Sequence, residues 1–431
     1  MDKQTFNEGL LAFIRQSPTP FHASESIAGQ LEAADFTLLD ESESWNLRQG
    51  GSYLVKRDGS IIAFRVGRQS VLDSGIHLAG AHTDSPCLKV KPVAERSANG
   101  YLQLGVEVYG GALLNPWFDR DLSLAGKLSF LTDSGQLETC LIDLKRPIGV
   151  IPSLAIHLDR EANQSRAIDA QKHLPPVLLS LQEGQAYSFE EFLLTTVCNE
   201  PGRSSAAKIL SHELFFYDTQ PPAIVGLQNQ FIAGARLDNL LSCYLITQSL
   251  LAASGEYTSL MVCNDHEEVG SASASGAQGP FLKSVLQRLV NQETTASDAL
   301  ERVIRRSLLL SIDNAHGVHP NYADRHDPAH GPQLNAGPVV KINANQRYAS
   351  NTESVAQFLA CCDKAGVKSQ SFVMRSDLAC GSTIGPLTAT ETGITTVDVG
   401  VPTFAMHSIR ELAGADDAEQ LYRVVNAFFD R

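Results

Sequence analysis

Hydrophobic positions recur with a helical period at the start of this chain and gather into short, strand-length runs further on. Phe6, Leu10, Leu11, Phe13 and Ile14 fall at helical spacing, which predicts an amphipathic helix ended by Pro18 and Pro20. Ser24 to Ala34 predicts a second helix. Tyr53-Leu54-Val55 and Ile61-Ile62-Ala63-Phe64 flank Asp58-Gly59, a dipeptide suited to the left-handed backbone of a two-residue hairpin turn. Between about Pro92 and Phe231 the pattern changes to short β-like runs, such as Tyr101 to Leu104 and Lys127 to Leu131, separated by Gly and Pro. Glu161 to Ser180 is largely polar, contains Pro175-Pro176 and reads as loop.

Candidate chemistry lies where apolar runs end. Leu260-Met261-Val262-Cys263 leads into Asn264-Asp265-His266-Glu267-Glu268-Val269-Gly270. Neighbouring strand residues point to opposite faces, so two glutamates can serve one site only if the chain leaves extended geometry there. Open α/β sheets place functional loops at such strand ends. His82-Thr83-Asp84 follows Ile76 to Gly80, Asp238-Asn239 opens the apolar run Leu240 to Leu251, Asp313-Asn314 follows Leu308 to Ile312, and His407 follows Val397 to Val401. Singly, His82 reads as a hydrogen-bonded structural histidine, Asp238 as a helix cap and the glutamates as a solvated pair. Together they form a donor set for divalent zinc, which takes imidazole nitrogen and carboxylate oxygen.

Two ions held roughly 3.5 to 4 Å apart need a bridging carboxylate and separate ligands for each. His82, Asp238, Glu268, Asp313 and His407 supply that set and leave Glu267 over as an unligated general base. Asp84 would orient the His82 imidazole by accepting its other ring proton. His266 should point away from the face used by Glu267 and serve structure. The long gap between His82 and Asp238 predicts an inserted domain, residues 92–231, within an α/β domain formed by residues 1–91 and 232–431. The small-residue stretch Gly270 to Ala277 lacks the lysine of a phosphate loop and the glycine spacing of a dinucleotide fingerprint, so nucleotide binding is rejected.

With 431 residues the chain is long enough for about two domains. It carries 34 basic against 48 acidic residues, a net charge of −14, which argues against nucleic acid or anionic membrane as a partner. The start, Met1-Asp2-Lys3-Gln4, lacks a signal pattern and no apolar run approaches the ~18 residues of a membrane span, so a cytoplasmic location is expected. Eight cysteines without paired CxxC spacing read as reduced core residues.

Longer strings are specific enough to place the chain. Ser17-Pro18-Thr19-Pro20-Phe21-His22, Ala81-His82-Thr83-Asp84-Ser85-Pro86, Asn115-Pro116-Trp117-Phe118-Asp119-Arg120, Ile151-Pro152-Ser153-Leu154-Ala155-Ile156-His157-Leu158, His266-Glu267-Glu268-Val269-Gly270-Ser271, Lys341-Ile342-Asn343-Ala344-Asn345-Gln346-Arg347-Tyr348 and Cys380-Gly381-Ser382-Thr383 together resemble the aspartyl aminopeptidases. These are zinc exopeptidases related to the tetrahedral aminopeptidases, and the resemblance spans nearly the whole chain. It implies a catalytic α/β/α domain with an inserted, mainly-β dimerisation domain, and two zinc ions per subunit. Asp238 would bridge them, His82 and Asp313 would serve one ion, and Glu268 and His407 the other. It also implies a homo-oligomer, a dodecamer built from dimers, in which His157 reaches the active site of the partner subunit. One departure, Ser376 where the family pattern has asparagine, falls in a loop near the substrate.

The expected activity is release of N-terminal Asp or Glu from peptides. An enzyme of net charge −14 attracts acidic substrates poorly at long range, so a local cation must select them. Lys341 is the candidate, with Arg375 and Arg347 as substitutes, and Tyr348, His316 and Gly381 as further substrate-contacting residues. The alternatives are a broader tetrahedral-type aminopeptidase or related deacylase with the same metal set, and a metal-binding assembly scaffold. The scaffold is disfavoured because ligation does not need Glu267.

Overall fold

A computed structural model describes residues 1–182, 184, 187–199 and 206–431. Its contacts divide the chain into two units, one made of Met1–Asp84, Pro222–Met406 and Glu411–Arg431, the other of Ser85–Pro221 and His407–Arg410.

The first unit is built on a nine-stranded sheet. Its order is Thr37–Leu38, Ser52–Arg57, Ser60–Arg65, Ser259–Asn264, His77–His82, Leu308–Ile312, Thr395–Gly400, Val339–Ile342 and Gln370–Val373. The four strands from Ser259–Asn264 to Thr395–Gly400 run parallel. Parallel strands are covered on both faces, which is why these read as continuous apolar runs. Alternate residues feed two different cores: Met261, Cys263, Ala79, Ala81, Leu310 and Ile312 face one, while Leu260, Val262, Leu78 and Leu309 face the other. The first core is closed by the helices Lys3–Gln16, Pro20–Glu32, Leu237–Ala252, Thr352–Ala365 and Asp417–Phe429. The second is closed by Phe281–Val290 and Ala299–Arg306. The α/β expectation therefore holds as a helix–sheet–helix sandwich. A second sheet of five short strands runs Ala223–Val225, Phe231–Gly234, Glu411–Gly414, Pro402–Phe404, Ala315–His316.

The other unit carries a six-stranded antiparallel sheet in the order Leu137–Asp143, Leu122–Thr132, Ala206–Asp218, Cys87–Ala98, Tyr101–Tyr109, Val177–Ser180. Its own core gathers Leu88, Leu104, Trp117, Leu124, Phe130, Leu214 and Phe216.

Asp58-Gly59 turns the hairpin Ser52–Arg57 to Ser60–Arg65 as its composition predicts, with Asp58 at φ 53°. Two expectations are corrected. The second helix starts at Pro20, not Ser24: Thr19 caps it and proline, lacking an N–H, fits the first turn. The stretch Glu161 to Ser180 is not all loop. It holds the one-turn helices Ala162–Ser165 and Ala170–His173, and Val177–Ser180 pairs with Tyr101–Gln103, a partner invisible to local polarity.

Candidate metal centre

Each candidate donor of the first unit sits at the end of an element that fixes its backbone. His82 closes its strand, Asp313 follows Leu308–Ile312, and Asp238 opens the helix Leu237–Ala252 with non-helical backbone angles. After Ser259–Asn264 the chain leaves extended geometry at His266, φ 68°, and passes Glu267 and Glu268 through a single 3-10 turn. That departure brings the adjacent glutamates to one site. Their amides both donate to the carboxylate of Asp84, each at 3.1 Å. The main-chain carbonyl of the same residue faces His82 Nδ1 at 3.0 Å, with its carboxylate behind at 3.4 Å. The carbonyl and the carboxylate of Asp84 thus both face His82 Nδ1, and the carboxylate holds the glutamate turn as well. With Nδ1 turned to Asp84, Nε2 faces Asp238 and Asp313 and is the ring atom that would bind a metal.

His82, Asp238 and Glu268 each offer a ligand atom, and these lie within 4.8 Å of one another. His82 Nε2 stands 3.4 Å from Asp238 Oδ1 and 3.6 Å from Asp313 Oδ1. Ligands on one tetrahedral zinc, at bond lengths of about 2.0–2.2 Å, are separated by about 3.3–3.6 Å. The spacing suits a shared cation better than a hydrogen bond. The donor set and its geometry fit zinc.

The electrostatics point the same way. Burial disfavours the His82 cation, but Asp238, Asp313 and Asp84 more than offset this and hold its pKa well above the usual imidazole value. Burial and the Asp238 charge push Glu268 well above the carboxylate range. Glu267 is raised to about 7 by burial, with His82 opposing and Asp313, Asp84 and Asp238 adding to the rise. So much crowded negative charge is relieved by a dication.

The other predicted residues are placed as follows. Lys341 is 2% exposed, its Nζ 3.4 Å from Asp313 Oδ2, 3.2 Å from the Asn314 carbonyl and 5.2 Å from the Tyr348 ring centre. His316 packs edge-on against Phe372, and burial and the Lys341 charge lower its pKa. Arg375 is gripped by Asp377 at 2.8 and 2.7 Å and donates to the Asp324 carbonyl, and Arg347 donates to the Cys380 carbonyl at 3.3 Å. Gly381 is exposed, with open space where a Cβ would stand. His266 Nδ1 lies 2.8 Å from Ser273 Oγ. His407 and His157 belong to the second unit, where His407 Nδ1 faces the Gly111 carbonyl at 3.2 Å and His157 lies on an exposed turn.

Two supports escaped the sequence reading. Glu411 accepts the Asp238 amide at 2.9 Å, and the Cys243 thiol donates to the His82 carbonyl at 3.0 Å. Both act on backbone, for which a linear sequence carries no direct signal.

Donors converging at the carboxyl ends of parallel strands, with a further glutamate beside them, are the arrangement of a metal-dependent hydrolase. Comparison with known proteins narrows the class. The family model described as aminopeptidase I zinc metalloprotease (M18) matches residues 13–429. A probable M18 family aminopeptidase 2 of Pseudomonas aeruginosa is 57% identical over 424 residues, covering 98% of this chain and 97% of the relative. Among solved structures, the complex of Ape4 and Nbr1 matches at a TM-score of 0.95 and 36% identity, covering 99% of this chain and 86% of the other. The S. cerevisiae mApe1 dodecamer matches at 0.86 and 26%, covering 99% and 96%. The chain belongs to the M18 family and is a metallo-aminopeptidase, which removes the scaffold alternative.

Asp84→Asn preserves shape but turns an amide donor toward one of the two glutamate N–H groups. Metal retention against a chelator, read by atomic emission, is expected to fall about 10- to 100-fold with circular dichroism unchanged. Retention equal to the parent would remove Asp84 from the support of the centre.

Proposed function

We propose that this chain is a two-zinc aminopeptidase that releases N-terminal Asp and Glu from peptides. His82, Asp238, Glu268 and Asp313 would hold the zinc, Asp238 serving both ions as the sequence resemblance implies, and His407 would be the fifth ligand on the strength of the same pattern. What carries the reading is the contrast between neighbouring glutamates. Glu268 stands in the donor group, and Glu267 stands beside it, its amide held on the same Asp84 carboxylate. Bound zinc supplies Lewis acidity and a water acidic enough to lose a proton near neutral pH. Glu267 takes that proton and passes it to the departing amine, a double duty open to a carboxylate that stands beside the donor group without being needed as a ligand. The surrounding carboxylates receive the substrate's free α-amine, so blocked peptides are rejected.

Lys341 selects the acidic first residue. Of the three candidate cations it alone touches a proposed ligand, whereas Arg375 is taken by Asp377 and Arg347 by the Cys380 carbonyl. Two of the three ammonium donors meet Asp313 and Asn314 among the described residues, and the third serves the substrate carboxylate.

The enzyme works as a homo-oligomer, by analogy with the dodecameric relative, through the inserted domain of residues 92–231. Around His157, Leu154, Ile156 and Leu158 are 57, 47 and 74% exposed, an apolar run suited to burial against a partner copy. The enzyme's proposed place of work is the cytoplasm; among the described residues no helix is long and apolar enough to cross a membrane.

Glu267→Gln should keep both metals and lose on the order of 10²-fold or more in turnover, since only the base is removed. Glu268→Gln should lose metal as well as rate, because a neutral amide is a poor zinc ligand. Equal metal content in the two variants would show that the assignment of ligand and base within the pair is wrong, and loss of metal from Glu267→Gln alone would show that the roles are reversed. Lys341→Ala should lower kcat/KM for an N-terminal Asp reporter by about 1.5 to 3 kcal/mol and that for N-terminal Ala by less. Proportional losses on both reporters would make Lys341 a support for Asp313 alone. For the shared site, inactive His157→Ala and Glu267→Gln chains reassembled together should regain part of the parent activity. No recovery would mean that each chain works by itself.

A further inference from the structure

One buried charge has no part in the chemistry above. Asp398 lies in the strand Thr395–Gly400 between Val397 and Val399, wholly shielded from solvent. Its carboxylate collects donors from three segments: Ser311 Oγ at 2.7 Å on the neighbouring strand, Thr383 Oγ1 at 2.6 Å at the start of the helix Ile384–Thr392, and the Ala349 amide at 2.6 Å. Its own amide donates to Ser350 Oγ at 2.9 Å. The fit is tight, because a Cβ on Gly385 would stand 2.4 Å from both carboxylate oxygens.

The two loops gathered this way are also sewn to each other. Arg347 Nε donates to the Cys380 carbonyl at 3.3 Å, and Ser382 Oγ donates to the Arg347 carbonyl at 3.2 Å. Between Arg347 and Ala349 lies Tyr348, whose ring faces Lys341 Nζ. Lys341 in turn reaches Asp313. A carboxylate in a dry sheet is costly unless its lone pairs are met, and apolar residues would fill the same space more cheaply. Burial does push the Asp398 pKa up, while Lys341, Thr383, Ser311 and the Ala349 amide counter the rise. The retained charge orders what binds it.

We propose that Asp398 is a positioning residue for the pocket of the substrate's first side chain, clamping the Arg347–Ser350 and Cys380–Gly385 segments to the sheet so that Tyr348 and Lys341 are held in place. The proposal rests on the reading of Lys341 as the selecting cation. It predicts an effect on substrate recognition that neither the metals nor the base share.

The test uses Asp398→Asn and, in case that chain fails to fold, Thr383→Val, with Thr383→Ser as the conservative partner that keeps the hydroxyl. Metal content, KM and kcat are measured on N-terminal Asp and N-terminal Ala reporters. Expected are full metal content, KM for the Asp reporter raised on the order of 10-fold, kcat within about twofold, little change with Ala, and parent behaviour for Thr383→Ser. Loss of metal, a fall in kcat at unchanged KM, or equal losses on both reporters overturns the positioning role. A parent enzyme that does not prefer Asp to Ala overturns the pocket reading, and the positioning role with it.

Discussion

Asp84 joins the two halves of the candidate centre. Its carbonyl fixes the His82 ring, and its carboxylate takes the amides of Glu267 and Glu268, so the end of one parallel strand is locked to the turn after its neighbour. The group is fully buried, where an ionised carboxylate survives only if its lone pairs are satisfied. Two backbone N–H donors meet that demand, and they are available because the chain turns left-handed at His266. Sheet register, turn geometry and placement of the glutamates are thus one constraint seen from three sides.

That arrangement has an electrostatic consequence. Asp84, Asp238, Glu267, Glu268 and Asp313 crowd together: burial, with that crowding added to it, raises the pKa values of Glu267 and Glu268, and the carboxylates raise that of His82 against the effect of burial. Lys341, beside Asp313, contributes a single positive charge. Divalent cations compensate such a cluster far more completely, and the separation of the donor atoms matches a shared ion. Metal binding and folding of this corner are therefore linked, as expected where ligands repel one another until an ion is held.

Much of this was legible in the linear sequence because the strands are parallel and buried. Apolar runs such as Leu308 to Ile312 announced themselves, and the acids and histidines just beyond them stood out as the wrong chemistry for a core. The glutamate pair even required the departure from extended backbone found at His266. What stayed hidden acts through backbone groups or distant partners. Glu411 and Cys243 serve an amide and a carbonyl, and Val177–Ser180 becomes a strand only because Tyr101–Gln103 lies beside it. Asp398 left a trace that could have been followed, a lone charge between two valines in a buried strand, which has to be paired. Lys341 could have been a surface lysine by composition alone, and burial excludes that.

Stoichiometric reloading of the metal-free chain addresses the centre most directly. Zinc is added in steps to chelator-stripped protein, with bound metal and hydrolysis of an N-terminal Asp reporter followed on the same sample. A two-ion centre predicts uptake of about two zinc ions per chain, with full activity only as the second site fills. Full activity at one ion per chain, or turnover unchanged after the metal has been removed, would contradict it.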